Sequence, residues 1–162
     1  MAVGYLGIRT NPRILNDVME VNYDRRKTAV IHIAEMLGGL RGKTIGLLGL
    51  AFKPNTDDMS DAPAIDIADE LNTQGAIGRG YGPVAVEVAR PLLPAVEMFT
   101  NAYDMARDCD ALMVITECNE FKQLDLEKIK GLLKSPVIYD GRNIFDPSVI
   151  KEMEFTYRSI GR

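Results

Sequence analysis

Two cations follow segments that the sequence marks as buried strands. Lys53 comes after the apolar run 44–50, and Arg142 comes after the shorter run 136–139. Ligands of an open parallel sheet bind beyond the carboxyl ends of its strands, so both cations are expected at one sheet edge. An arginine fork and a lysine point charge together suit a diphosphate. The alternative is that both cations merely pair with nearby carboxylates, namely Asp57, Asp58 and Asp140.

The glycines near the first strand do not form a dinucleotide fingerprint. Gly46, Gly49 and Ala51 do not fit the GxGxxG spacing, and a long loop separates them from the next helix at Pro63. The second strand ends at Gly82, where a dinucleotide site would need an acidic residue for the ribose. The pattern therefore favours a nucleotide held mainly by its phosphates and by the long loop.

The cysteines, the histidine and the remaining charged side chains do not predict a catalytic or metal site. A nucleophilic cysteine needs a base or an electropositive setting, whereas Cys118 lies beside Glu117 and Glu120, whose charges should raise its pKa, so we predict no catalytic thiol at Cys109 or Cys118. The single histidine, His32, falls on the first helix, so no metal site is predicted. Two further groups of charged residues are interpreted as structural and not as ligand sites. The loop acids are expected to cap a helix and to accept loop hydrogen bonds; they are Asp57, Asp58 and Asp61. The charges on the long helix are interpreted as a solvated face; they are Asp17, Glu20, Asp24, Arg25, Arg26 and Lys27.

The elements that must position these residues begin with a long helix. Asn11 and Pro12 form a helix start, residues 13–37 lack glycine and proline, and Gly38 with Gly39 forms the stop. A helix of about 26 residues is about 39 Å long. This length suggests that the helix packs on something outside the chain, either a second domain or a second copy.

Strands and helices alternate from Lys43 onward. Asp61 is expected to cap the first helix of this part, which starts at Pro63. Strands are predicted at 44–50, 77–81, 96–99, 111–116, 136–139 and 155–160, and helices at 63–72, 83–92, 102–107, 124–133 and 147–153. The pattern predicts an α/β, Rossmann-like, doubly wound and mostly parallel sheet preceded by a long α-helix. We expect two parts: 1–40, an N-terminal arm with the long helix, and 41–162, the sheet domain.

Composition excludes several classes of function. The chain has 162 residues with 19 Lys+Arg and 23 Asp+Glu, for a net charge of −4, so nucleic-acid binding is not expected. No apolar run approaches the ~20 residues of a membrane span, and no signal peptide is apparent. Two cysteines suit a reducing compartment, so we expect a cytoplasmic protein.

Several motifs resemble the UDP-glucose/nucleotide-sugar 6-dehydrogenase family. They are AFKPNTDD within residues 42–59, DGRNIFDP from Asp140, the ending YRSIGR from Tyr157, and VMEVN from Val18. The resemblance covers nearly the whole chain, in the order the family has. It corresponds to the family's C-terminal UDP-binding domain and its central dimerisation helix.

The resemblance implies an oxidation that needs two domains, of which this sequence matches only the UDP-binding one. The family oxidises the C6 alcohol of a UDP-sugar to a carboxylate in two NAD-dependent steps, through a thiohemiacetal and a thioester on a cysteine. Phe52 and Lys53 match the loop pair that contacts the UDP-sugar, and Arg142 matches the arginine that contacts it from the last strand. The implied partners are a UDP-sugar, a second copy bound through the long helix, and the NAD-binding N-terminal domain.

This sequence also departs from the family. The catalytic cysteine segment and the NAD-binding domain are absent, so catalysis by this chain alone and tight NAD binding are not expected. Ser60 replaces an arginine that reaches NAD, Gly82 replaces an aspartate, and Cys118 replaces a tryptophan common in the family. A non-catalytic dimerisation or interaction module is the alternative function, and a self-contained NAD-binding domain of another oxidoreductase is a third.

Overall fold

The computed structural model describes residues 12–161, which form an α/β fold. The long helix α1 spans Pro12–Leu37. The strands that follow are β1 (Thr44–Leu48), β2 (Ile77–Tyr81), β3 (Val96–Met98), β4 (Ala111–Val114), β5 (Val137–Asp140) and β6 (Thr156–Ser159). The shorter helices are α2 (Pro63–Thr73), α3 (Val86–Ala89), α4 (Ala102–Ala106), α5 (Asn119–Lys122), α6 (Leu126–Leu132) and α7 (Pro147–Glu152), with one 3₁₀ turn at Arg90–Leu92.

All six strands of the described sheet run parallel, in the order β3-β2-β1-β4-β5-β6. The strand order reverses between β1 and β4, and ligands of doubly wound sheets bind in the crevice at that point. The predicted fold class is confirmed. Strands β1, β4 and β5 are buried along their whole length, as continuous apolar runs in a two-sided parallel sheet should be.

Helix α1 divides into two halves by burial. Ala29, Val30 and Ile33 are buried, and the helix packs on α2 and β5. Towards the N-terminus its large apolar side chains are exposed, and these include Ile14, Leu15, Val18, Met19, Val21 and Tyr23. The predicted helix range is confirmed from residue 13, while the predicted cap Asn11 lies outside the described residues.

The differences from the predicted elements have local causes. Asp61 does not cap α2: it adopts φ 54°, and Ala62 is the N-cap residue, with no side-chain cap bond. The predicted helix 83–92 is shorter, because Pro83 and Val84 lie in a turn before α3. The short helix α5 was not predicted, since its four residues carry no apolar periodicity.

The reversal between β1 and β4 requires glycine at one position. Gly49 has φ 98°, and a Cβ there would lie 2.5 Å from the Cβ of Thr116. Any larger residue would push apart the ends of β1 and β4. Within residues 12–161, no helix has both the length and the apolar character that a membrane crossing needs.

Candidate functional site

The loop 49–62, here called the edge loop, crosses the carboxyl edge of the sheet. The hydroxyl of Thr116 donates to the carbonyl of Ala51 at 2.6 Å, which joins the edge loop to the end of β4. The amide of Phe52 donates to the carbonyl of Asp58 at 3.1 Å, which closes the loop on itself. The edge loop thus holds Phe52 at a fixed place over the sheet.

A cavity of about 340 Å³ opens between this edge and helix α1. Phe52 and Arg142 both line it, so the structure brings these two predicted residues together. Its floor is made by Met113, Val114 and Ile115 at the end of β4 and by Tyr139 of β5. The volume falls within the usual range for small-ligand pockets, about 300–1,000 Å³.

Lys53 lies elsewhere along the same edge. It lines a small cleft on the β2 side of the edge loop with Asn55, Thr56 and Pro83, not the cavity of Phe52 and Arg142. Its side chain is exposed, and its charge acts on Asp58, one of the carboxylates considered from sequence. The pKa of Asp58 is lowered chiefly by the hydrogen bond from the Ser60 amide and to a smaller extent by the charge of Lys53. Lys53 and Arg142 therefore line different cavities at the carboxyl edge and are not brought together in one.

Arg142 is already paired. Its guanidinium donates to Glu117 Oε1 at 2.8 Å, and both side chains are about two-fifths exposed (43% and 41%). This bond from Arg142 holds the pKa of Glu117 below its usual value. The pairing considered from sequence, with Asp57, Asp58 or Asp140, does not occur at the guanidinium. An anionic ligand would have to displace an exposed carboxylate, and exposed ion pairs are weak.

A buried carboxylate sets the turn that carries Arg142. Asp140 is fully buried at the end of β5 and accepts hydrogen bonds from the amides of Arg142 (3.1 Å) and Phe145 (3.0 Å). Its Oδ2 also accepts from the hydroxyl of Tyr157 at 2.8 Å. Charged hydrogen bonds of this kind fix a turn firmly. From the sequence, Asp140 was considered only as an ion-pair partner of the cations and as the start of a family motif, whereas its carboxylate holds the turn through backbone amides.

Helix α1 supplies the opposite wall of the cavity. Asn22, Arg25, Arg26 and Ala29 line it, at the i, i+3, i+4, i+7 spacing of one helix face. Arg26 forms an ion pair with Asp66 and donates to the carbonyl of Asp61 at 2.9 Å. The interpretation of these charges as a solvated face is thus wrong for Arg26. The spacing of Arg25 and Arg26 with the buried Ala29 is the signal that could have shown it.

The cysteines are inert in this setting. Burial raises the pKa of Cys109 to about 11. Burial also raises the pKa of Cys118, with a smaller contribution from Glu120 in the same direction. The predicted direction for Cys118 is confirmed, although burial and not the neighbouring charge is the main cause. A raised pKa lowers the thiolate fraction of both side chains near neutral pH, which disfavours a nucleophilic role.

The described residues do not form a dinucleotide site. A dinucleotide fold places a helix N-terminus directly after its first strand, whereas here the edge loop separates β1 from α2. Strand β2 ends in Tyr81, which donates to Glu120 at 2.7 Å, and Gly82 packs closely on the backbone of Leu50. No residue there is placed to hold a ribose as NAD requires, so no cofactor chemistry is assigned to this part.

Comparison with known proteins gives a consistent result. Residues 46–147 match the family model described as "UDP-glucose/GDP-mannose dehydrogenase family, UDP binding domain". The chain is 40% identical over 151 residues to the UDP-glucose 6-dehydrogenase TuaD of Bacillus subtilis, covering 93% of this chain and 33% of the relative. It is 40% identical over 154 residues to a UDP-glucose 6-dehydrogenase of Rhizobium meliloti, covering 94% and 35%.

The fold is also similar to solved structures. A UDP-glucose dehydrogenase from Pyrobaculum islandicum matches with a TM-score of 0.73 and 31% identity, over 87% of this chain and 30% of the other. An NDP-N-acetyl-D-galactosaminuronic acid dehydrogenase from Methanosarcina mazei matches with a TM-score of 0.72 and 27% identity, over 86% and 29%. The chain spans about a third of the length of the relatives it matches.

Proposed function

This chain belongs to the UDP-glucose/GDP-mannose dehydrogenase family, and we propose that it is the UDP-binding part of an NAD-dependent UDP-sugar 6-dehydrogenase. The first relatives are named UDP-glucose 6-dehydrogenases, which favours the conversion of UDP-glucose to UDP-glucuronate. The sugar nucleotide made would serve polysaccharide biosynthesis. The proposed division is a sheet domain, 41–162, that holds UDP, and a connecting segment, 1–40.

The cavity at the carboxyl edge carries the proposal. It combines an arginine with an aromatic ring over an apolar floor, which suits a ligand with phosphates at one end and a ring at the other. We assign Arg142 to the phosphates and Phe52 to the adjoining apolar part of the substrate. Lys53 contacts the same substrate from its own side of the edge loop, as an exposed point charge near Asp58.

The rest of the proposed enzyme supplies the oxidation. In the proposed enzyme the reactive cysteine precedes the long helix and NAD is held by a separate N-terminal domain, while residues 41–162 contribute the binding of UDP. A second copy binds through α1, whose N-terminal half exposes a row of apolar side chains. The proposed setting is the cytoplasm, where both cysteines stay reduced.

Calorimetric titration with UDP, UDP-glucose and NAD tests the proposal. We expect heat of binding with UDP and UDP-glucose and none with NAD. Lys53→Ala should weaken UDP binding about tenfold or more, as the loss of a charged hydrogen bond would. Lys151→Ala, at an exposed lysine in α7, is the matched control and should bind as the unaltered chain does. Heat with NAD and none with UDP would overturn the proposal.

A pure interaction module is the second candidate function. The exposed apolar row on α1 favours it, because such a row on a soluble helix marks a contact surface. The two functions differ in one result. An interaction module would associate through α1 but give no heat with UDP or UDP-glucose.

A further inference from the structure

One wall of the cavity is a helix face that the sequence indicated only as part of a dimerisation helix and a solvated surface. Asn22, Arg25, Arg26 and Ala29 of α1 face Phe52 of the edge loop and the β5 turn across the cavity. Ala29 is buried and fixes the rotation of this part of the helix against the sheet. The positions of Arg25 and Arg26 on the wall therefore follow from core packing.

The lining of the cavity is strongly cationic. Arg25, Arg26 and Arg142 line it, and none of the described residues that line it is acidic. Two of these cations already have carboxylate partners: Arg26 is paired with Asp66, and Arg142 with Glu117. The Arg25 side chain makes no ion pair or hydrogen bond with any residue in the range 12–161.

We propose that Arg25 is a further ligand for the substrate's pyrophosphate, which lies between helix α1 and the β5 turn, gripped by Arg25 on one side and Arg142 on the other. The proposal rests on the proposed function, since it takes a uridine diphosphate as the occupant of the cavity. A guanidinium presents a planar fork that matches two phosphate oxygens at once. Two such forks on facing walls suit the two phosphates of a diphosphate better than a single phosphate.

The two arginines would contribute differently. Arg142 must exchange Glu117 for phosphate, so its gain on binding is reduced by the ion pair it loses. Arg25 gives up only water. Arg25 is therefore expected to contribute at least as much to affinity as Arg142 does, although it lies far in the sequence from the AFKPNTDD and DGRNIFDP motifs.

The test is calorimetric titration of the full chain with UDP and, separately, with inorganic pyrophosphate. Arg25→Gln should weaken binding of both probes about tenfold or more, because a charged hydrogen bond is lost. Arg25→Lys keeps the charge but loses the planar guanidinium. Its affinity for each probe should lie between that of the unaltered chain and that of Arg25→Gln. Arg41→Gln is the matched control: Arg41 is exposed before β1, does not line the cavity, and gives the same change of charge. Its binding should equal that of the unaltered chain.

The outcomes separate this inference from the proposed function. If the unaltered chain binds UDP and Arg25→Gln binds it equally well, the inference is wrong and the proposed function stands. If the chain binds pyrophosphate in a manner that depends on Arg25 but does not bind UDP, the anion site stands and the uridine assignment fails. If it binds neither probe, both are overturned. Thermal unfolding of each variant shows whether a loss of binding is only a loss of folding.

Discussion

Single side chains at the edge of the sheet act through the turns that hold them. Arg142 reaches the cavity because the turn after β5 is tied to the buried carboxylate of Asp140. Removing a partner from a buried charge costs more than a surface contact gains. The Asp140 network should therefore govern both the stability of this edge and the position of Arg142.

Tyr157→Phe tests that coupling. It removes the hydroxyl that donates to Asp140 at 2.8 Å, and we expect a loss of about 1–3 kcal/mol in the free energy of unfolding. We also expect UDP affinity to fall several-fold, because the β5 turn is held less firmly. Tyr23→Phe, at an exposed tyrosine of α1, is the control for chemical denaturation and for titration. An unchanged stability in Tyr157→Phe would contradict the account of this turn.

His32 is the sole histidine in the sequence, so the effect of histidine protonation on the stability can be assigned to this one residue. Its Nδ1 is buried without a hydrogen-bond partner among residues 12–161, and its ring lies 5.8 Å from that of Tyr139. Burial lowers its pKa from 6.5, with the charge of Arg158 acting in the same direction and that of Glu35 against it. The folded protein therefore holds His32 neutral where the unfolded chain would protonate it.

The sign of the effect follows from linkage. A lowered folded pKa means that the unfolded state binds more protons, so stability is lost as the pH falls below about 6.5 towards the folded pKa. We predict that the melting temperature of the unaltered chain drops between pH 7 and pH 5, and that the drop is smaller in His32→Gln. The quantity to compare between the two proteins is the change of melting temperature with pH, not the melting temperature itself. Equal slopes in the two proteins would show that His32 does not titrate in this way.

Sequence patterns identified some of the residues that line the cavity and missed others for a physical reason. Arg142 and Phe52 follow apolar strands of a parallel sheet, and topology alone brings strand ends to one edge. Lys53 follows the same strand as Phe52, yet it lines a different cleft, because the path of the edge loop depends on bonds such as that from Thr116 to Ala51. Arg25 was missed because its partners in the cavity are distant in sequence.

Helix α1 is one element with two roles. Its C-terminal half packs on α2 and β5 through Ala29, Val30 and Ile33, and its N-terminal half leaves Val18 and Val21 about half exposed (51% and 50%). An apolar row on an exposed helix marks a contact surface, either for a second domain or, as proposed above, for a second copy of the chain. The length of α1 was predictable from its lack of glycine and proline. The point at which its apolar side chains change from exposed to buried was not predictable, because it depends on where α2 and β5 pack against the C-terminal half.

Val18→Asp tests the contact surface of α1. We expect the unaltered chain to sediment as a dimer and the variant to sediment as a monomer, because a carboxylate in an apolar contact is left without a partner. The melting temperature at low concentration should not change, since Val18 contacts no core. Thr28→Asp adds the same charge at an exposed position of the helix and should remain dimeric. A monomeric unaltered chain, or a dimeric Val18→Asp, would exclude this surface.

The described residues, 12–161, form a parallel sheet flanked by helices, and helix α1 lines the cavity at the carboxyl edge of this sheet. The alternation of apolar runs and helices predicted the doubly wound class, and the observed order β3-β2-β1-β4-β5-β6 places the cavity beside the reversal between β1 and β4. Strands β1 and β4 were each predicted two residues too long, because the apolar runs continue into the edge loop and into Ile115. The sheet thus fixes the place of the site, while loop and helix side chains decide what it binds.

The central claim is that UDP occupies the cavity between α1 and the carboxyl edge, and amide NMR spectra recorded during a UDP titration test it most directly. Saturable shifts are predicted for Phe52, Gly141, Arg142 and Arg25. The amides of Leu40 and Gly75, at the opposite edge, should not move. An absence of shifts at millimolar UDP, or shifts centred away from this cavity, would contradict the account.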